Sequence, residues 1–291
     1  MVHARSFSFT DDSASVAFPS TSTVAGPTEF ANSRLGPHSL DAAILLFQLR
    51  RVQSNWYQEL FQSSRDPLKQ SSTYIGEMCQ EMHSWSKSFP LSLPSAIKEF
   101  FELELLYSFV YCLAPSCRVT AVSEHGKTLI FEYSLKYMSK IYPLSNDPIN
   151  TAFYTYHDAL RVYFIGSQFL AVLSTNLEQL LHEIAPYTAA IASAPLSPTI
   201  QNPERFSNIN RSIACIEQIV DTLKIYGERW DDSKALQASF ESQAAGILRD
   251  LSGRRRHQDA QSRHMGDNCD NSGSDITLSH VDSMLNDQWL A

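Results

Sequence analysis

The sequence predicts an all-α fold, and three observations lead there. Between residues 39 and 251 apolar residues recur at spacings of three and four, the period of a buried helix stripe. Nowhere does the chain alternate apolar and polar residues convincingly in the two-residue period of a strand. Prolines and small polar residues gather between the periodic segments, as in "PLSLPS" at 90–95, where they break helices. With 291 residues, 43% of them hydrophobic, the chain has enough apolar surface for a real core. The absence of a fixed repeat of 33 to 45 residues argues against a solenoid.

The first 38 residues, typified by "FPSTSTVAGPTEFANSRLGPHS", are rich in Ser, Thr, Pro and Gly and are expected to form a disordered arm. At Ser39 the pattern changes. In "LDAAILLFQLRRVQSNWYQELF" the residues Leu45, Leu49, Val52, Trp56 and Leu60 fall on one helix stripe, with Arg50 and Arg51 beside it. A second helix follows in "STYIGEMCQEMHSWSKSF", where Tyr74, Met78, Met82 and Trp85 share a face. Pro94 and Ser95 suit the start of a third, and Pro115 bars its continuation. That third helix, "FFELELLYSFVYCLAPSC" at 100–117 and the residues before it, is apolar on nearly every side from Leu105 onward, which places it in the middle of the assembly.

Four more helical segments are expected at 126–142, 151–184, 208–230 and 233–251. The stretch "APYTAAIASAPLSPTIQNPE", within a Pro-rich insertion at 185–205, reads as flexible, and 252–291 reads as a disordered acidic tail. From Asp267 to the end that tail holds five aspartates and no Lys or Arg, interleaved with Met284, Leu285, Trp289 and Leu290. Such acidic and hydrophobic alternation suits an activation segment that folds as a short amphipathic helix in a partner groove, or a plain solvated tail.

Charge and targeting narrow the function. A net charge of −8 disfavours a surface built to neutralise nucleic-acid phosphates, so DNA is expected to be met only indirectly. The segment from Leu105 to Ala114 spans ten residues and the charge-free run Val162 to Leu177 is also short of the ~20 a membrane helix needs, so no membrane association is expected. No secretory signal is readable in "MVHARSFSFTDD", and the odd set Cys79, Cys112, Cys117, Cys215 and Cys269 fits reduced thiols in an intracellular protein.

Sites of chemistry are sparse. Cys112 and Cys117 straddle Pro115 without a second pair at zinc spacing, and Cys79 with His83 makes only half of a soft-metal site, so packing is the expected role of these residues. His157-Asp158 lacks the further His and Asp set of a metal phosphohydrolase and reads as a capped, charged helix position. "DDSKA" at 231–235 ends in Ala235 where an isoprenoid synthase would need a third magnesium-binding acid. There is no Gly-rich phosphate loop. Arg254, Arg255 and Arg256 form either a minimal nuclear-import patch or a solvated helix end. The expectation is a protein without catalytic, cofactor or metal residues; an all-α enzyme of the isoprenoid synthase type and a non-nuclear interaction scaffold are the alternatives.

Four blocks, taken together, resemble the regulatory half (the middle homology region) of the fungal zinc binuclear-cluster transcription factors: "LRRVQSNWYQELFQSSR" (49–65), "YIGEMCQEMHSWSKSFPLSLPSAIKEFFELELLYSFVYCLAPS" (74–116), "TAFYTYHDALRVYFIGSQFLAVL" (151–173) and "RSIACIEQIVDTLKIYGERWDDSKAL" (211–236). The resemblance runs from about residue 40 to 251. It implies an all-helical regulatory domain, a nuclear location, control of a secondary-metabolite biosynthetic gene cluster, and an acidic activation tail. The implied partners are the transcription machinery or a DNA-binding regulator, with a homo- or heterodimer as one arrangement. The family's six-cysteine zinc cluster has no counterpart here: no two cysteines have its two-residue spacing, so no zinc-ligand role transfers to any position. Either the chain is a fragment or shortened product, or it regulates through a DNA-binding partner.

Overall fold

The computed structural model describes residues 39–62, 66–91, 93–147, 154–182 and 203–266. They form α1 (Ser39–Tyr57), a π-turn (Gln58–Gln62), α2 (Ser71–Lys87), α3 (Ser95–Leu113), α4 (Glu124–Asn146), α5 (Tyr156–His182), α6 (Pro203–Gly227) and α7 (Asp231–Gly266). No strand occurs among the described residues, and the protein is all-α. None of the described helices is long and apolar enough to cross a membrane.

Local chemistry explains the helix ends. Ser123 caps α4, its Oγ accepting from the Gly126 backbone N–H at 3.1 Å. A Cβ at Gly126 would stand 2.9 Å from Val122 Cγ1, so the tight entry to α4 needs glycine there. At the start of α5 the Thr155 backbone N–H and hydroxyl both donate to Asp158 Oδ2, at 2.8 and 3.0 Å, so Asp158 serves as the reaching-back acid of a capping box. Beyond α3, Ala114 is extended ahead of Pro115, as the residue before a proline prefers.

Several expected boundaries move. α4 starts at Glu124 and carries Pro143 inside it, tolerated because only the final turn loses a hydrogen bond there. α5 is bent at Asn176, whose φ of −133° leaves the helical region, and Asn176 Nδ2 instead donates to Glu124 and to Gln179. α6 begins at Pro203, inside the expected 185–205 insertion, most of which lies outside the described residues. The largest correction is at the far end: α7 does not stop at Leu251 but runs to Gly266, so 252–266 are helix rather than tail. Arg254 holds that extension, bonding Asp250 one turn back and reaching Glu178 on α5 at 2.6 Å. The expected arm at 1–38 and the tail from 267 onward, with Met284, Leu285, Trp289 and Leu290, lie outside the described residues.

Two buried clusters share α3. One is aliphatic, with Ile130, Val162, Ile165, Leu173, Ile216 and Leu223 among its members, and it fills the space between α4, α5, α6 and α7. The other is aromatic, built by Trp56, Tyr57, Trp85, Phe101, Phe109 and Tyr111 where α1 and α2 lie on α3. Leu106, Val110 and Leu113 face the first cluster while Phe101, Phe109, Tyr111 and Cys112 face the second. A helix placed between two cores must be apolar all round, which is why its sequence has no polar face beyond Leu105. All five residues of the expected α1 stripe are buried, Leu49 and Leu60 completely. On α2, Met82 and Trp85 are buried while Tyr74 and Met78 pack half-exposed at the edge.

Candidate functional site: a buried charge hub beneath an aromatic face

Where the two clusters meet, three helices converge on one carboxylate. Glu104 of α3 is 1% exposed. Its Oε1 accepts from Arg161 Nη1 of α5 at 2.5 Å, and its Oε2 stands 2.8 Å from Arg50 Nη1 of α1. The Arg50 N–H is aimed at Gln53 Oε1, 2.6 Å away, so that second contact is an ion pair rather than an aligned hydrogen bond. Gln53 Nε2 in turn donates to Ser108 Oγ, and Ser108 Oγ donates to the Glu104 carbonyl, both at 2.5 Å. The Arg161 guanidinium also lies over the Tyr107 ring, 4.9 Å from its centroid. Burial pushes the Glu104 carboxyl up, and Arg161 and Arg50 more than reverse it, leaving the group below the usual carboxylate range. The hub is a charged rivet that fixes α1, α3 and α5 in one register.

A second polar arrangement caps the end of α1. The π-turn leaves carbonyls without helical partners, and the loop after α3 supplies donors. Cys117 Sγ donates to the Leu60 carbonyl at 3.0 Å, and Arg118 Nη1 reaches the Glu59 carbonyl at 3.4 Å while pairing with the Glu59 carboxylate. Arg118 Nε donates to the Asp66 carbonyl at 2.9 Å. Beside Arg118 opens a groove of about 770 Å³, bordered by Lys69, Gln70, Thr73, Tyr74 and Glu77. Its lining mixes the charged ends of Lys69, Glu77 and Arg118 with apolar surface from residues such as Pro67, Leu68 and Tyr74. Burial pushes the Tyr74 phenol up to about 12, with Glu59 adding to the effect, so it stays protonated.

Three large apolar side chains among the described residues are exposed. Leu91, between α2 and α3, is 99% exposed, Phe47 on α1 is 55% exposed and Phe100 on α3 is 41% exposed. Phe100 packs on Phe101, which meets Trp85 and Phe89 with centroid distances of 5.3 and 5.4 Å. Trp85 Nε1 donates to the Leu45 carbonyl at 2.8 Å and latches α2 to α1.

The residues that drew attention in the sequence are dispersed. No group of three or more potential metal ligands comes together among the described residues. His83 lies against the Phe109 ring and is 3.5 Å from the Tyr133 hydroxyl, while Cys79 packs partly buried against the aromatic cluster. Cys112 is fully buried, as its expected packing role requires, whereas Cys117 is exposed. Asp231 opens α7 in the solvent and pairs with Lys234 at 2.7 Å. Arg254 is engaged with Glu178 and Asp250, and Arg255 and Arg256 are exposed on the same helix. Glu104, Arg161 and Arg118 were not singled out, although one signal was present: Glu104 is a charge set inside an otherwise apolar helix.

Comparison of the chain with family models, curated proteins and solved structures gives no match.

Proposed function

We propose that the chain is the regulatory body of a transcriptional regulator of the fungal zinc-cluster type, working without a zinc cluster of its own. One observation supports this reading above the others. Arg50 and Gln53 lie in the first family-like block, Glu104 and Ser108 in the second and Arg161 in the third, so three of the four blocks meet at the buried hub. A resemblance spread over separate stretches is more persuasive when those stretches supply one interlocked network than when they lie apart.

On this reading the helical body receives a DNA-binding regulator or an effector. The segment from 267 to 291 recruits the transcription machinery, and the genes controlled belong to a secondary-metabolite cluster. The protein works in the nucleus and reaches DNA through its partner, in keeping with a net charge of −8.

The test is a reporter assay with the full chain, and separately residues 267–291, fused to a neutral DNA-binding domain. Activation by both, reduced to background by Trp289→Ala with Leu290→Ala, is the expected result. Silence of both fusions, or activation unmoved by the double substitution, overturns the assignment of the tail. A tagged full chain excluded from nuclei would overturn the regulatory reading and favour a scaffold.

A further inference from the structure

α7 turns one side to the bundle and the other to solvent. Phe240, Ala244 and Leu251 are completely buried. By helix geometry Arg249 and Arg256 fall on the opposite side, and both are exposed. Neither has a carboxylate partner among the described residues; each Nε donates to a backbone carbonyl one turn back, Arg249 to Ala245 and Arg256 to Ser252, both at 3.3 Å. Arg254, by contrast, is paired with Glu178 and Asp250. Gly246 and Gly253 lie beside the two free arginines, and a Cβ on either would meet nothing within 4 Å. Glycine is disfavoured inside a helix unless something must come close to the backbone, and no described residue does so here.

We propose that this bare cationic face is the docking surface for the chain's own residues 272–290, laid antiparallel on α7 as a helix. The segment starts where the face ends. α7 runs to Gly266, and 267–271 make a five-residue connection, inside the ~2–8 residues usual between packed helices. With that connection Asp282 comes level with Arg256, Leu285 with Gly253 and Trp289 with Arg249. The agreement extends along the sequence: arginines at 249, 256 and 263 recur every seven residues, and so do Asp275, Asp282 and Trp289. A shared interval of seven keeps two series facing each other along a helix pair.

The chemistry fits that register. Asp282 neutralises Arg256, the Trp289 ring receives the Arg249 guanidinium on its face, and Leu285 covers the gap over Gly253. Five aspartates and no Lys or Arg follow Gly266, so the segment complements the face in charge, whereas a net charge of −8 disfavours nucleic acid as the occupant. The tether raises the segment's effective concentration at α7 above that of any free acidic peptide. The contact is independent of the regulatory reading, because it concerns where 272–290 sits and not what it recruits. A partner that takes up this segment must first release it from α7.

The full-length protein is followed by hydrogen–deuterium exchange and mass spectrometry in about 0.1 M and about 1 M salt, between which the screening length falls from about 10 Å to about 3 Å. Residues 272–290 should be protected in the lower salt and lose most of that protection in the higher. Arg249→Glu with Arg256→Glu should reduce it about tenfold, since two attractive contacts become repulsive, with α5 unchanged in the same spectra. Adding Asp282→Arg to Arg256→Glu alone should restore most of it. Exchange of 272–290 at the rate of a free peptide in the unaltered protein overturns the proposal. Protection that ignores the charge reversal, or that does not return in the charge swap, overturns it too. Protection that rises with protein concentration would assign the face to the segment of a second copy and likewise overturn it.

Discussion

The aromatic layer and the aliphatic bundle are both well buried, yet they hold their helices by different means. In the bundle, α5 lies between α4, α6 and α7, and its inward side chains Ile165, Phe169 and Leu173 are all completely buried in the aliphatic cluster, while its polar contacts, such as Asn176 with Glu124 and Glu178 with Arg254, lie at the exposed rim. Phe169 stacks on Phe131 at a centroid distance of 5.4 Å. At Gly166 a Cβ would fall 2.6 Å from Phe240 Cε2 and close to Ile219, so α5 and α7 approach there as only glycine permits. In the aromatic layer, by contrast, most rings meet at edges and tilts, and position is set by directed contacts: the Trp85 latch, the Arg118 cap and the Glu104 hub. Undirected burial tolerates small shifts, whereas a layer held by a few directed bonds opens when one of them is lost.

The largest expected effect lies in the bundle. Phe169→Ala removes a fully buried ring from a place where α4, α5 and their neighbours cannot close, and should cost about 3 to 5 kcal/mol. Urea unfolding followed by circular dichroism should show the midpoint fall without a new early transition. A midpoint within error of the unaltered protein would mean that the bundle repacks freely, and the contrast with the aromatic layer would fail.

Glu104→Gln comes next. It leaves Arg161 and Arg50 without their anion, a change that costs about 3 kcal/mol, at the lower end for buried pairs because the Arg50 side chain is 36% exposed. The loss should appear first in α1, as faster amide exchange there than in α5. Acid should reproduce it. The folded carboxyl titrates below its unfolded value, so its contribution is complete above that value and disappears as the pH falls through the lower, folded one. The unaltered protein should therefore loosen at α1 on acidification in that window, and Glu104→Gln should be flat across it. Equal acid sensitivity in both would remove Glu104 from the account.

How much of this the sequence discloses depends on the kind of interaction. Burial driven by periodicity was legible: the stripe from Leu45 to Leu60 and the all-round apolar α3 are where the spacing places them. Local capping is less legible: the spacing starts α4 at 126 and α5 at 151, whereas the Ser123 and Thr155 caps start them at Glu124 and Tyr156. Contacts between distant residues were not. Nothing in the spacing of Arg50, Glu104 and Arg161 says that three helices bring them together, and nothing in 252–266 announces that Glu178 will hold Arg254 and prolong α7. The close approach at Gly166 is not legible either, because its packing reason lies in Phe240 on a different helix.

Two small substitutions of similar size sharpen the comparison most, because they test place rather than magnitude. Trp85→Phe keeps a ring in the aromatic layer but deletes the donor to the Leu45 carbonyl, at a cost of about 1 kcal/mol. Ser123→Ala deletes the α4 cap and should likewise cost about 1 kcal/mol. If the layer depends on directed bonds, Trp85→Phe should speed amide exchange along α1 around residues 45–52 and leave α5 unchanged. Ser123→Ala should instead lower protection only in the first turn of α4, because the bundle behind it stays closed through its apolar contacts. Uniform loss of protection across all helices in both variants would show one cooperative body, in which the aromatic layer has no separate freedom to open toward a partner.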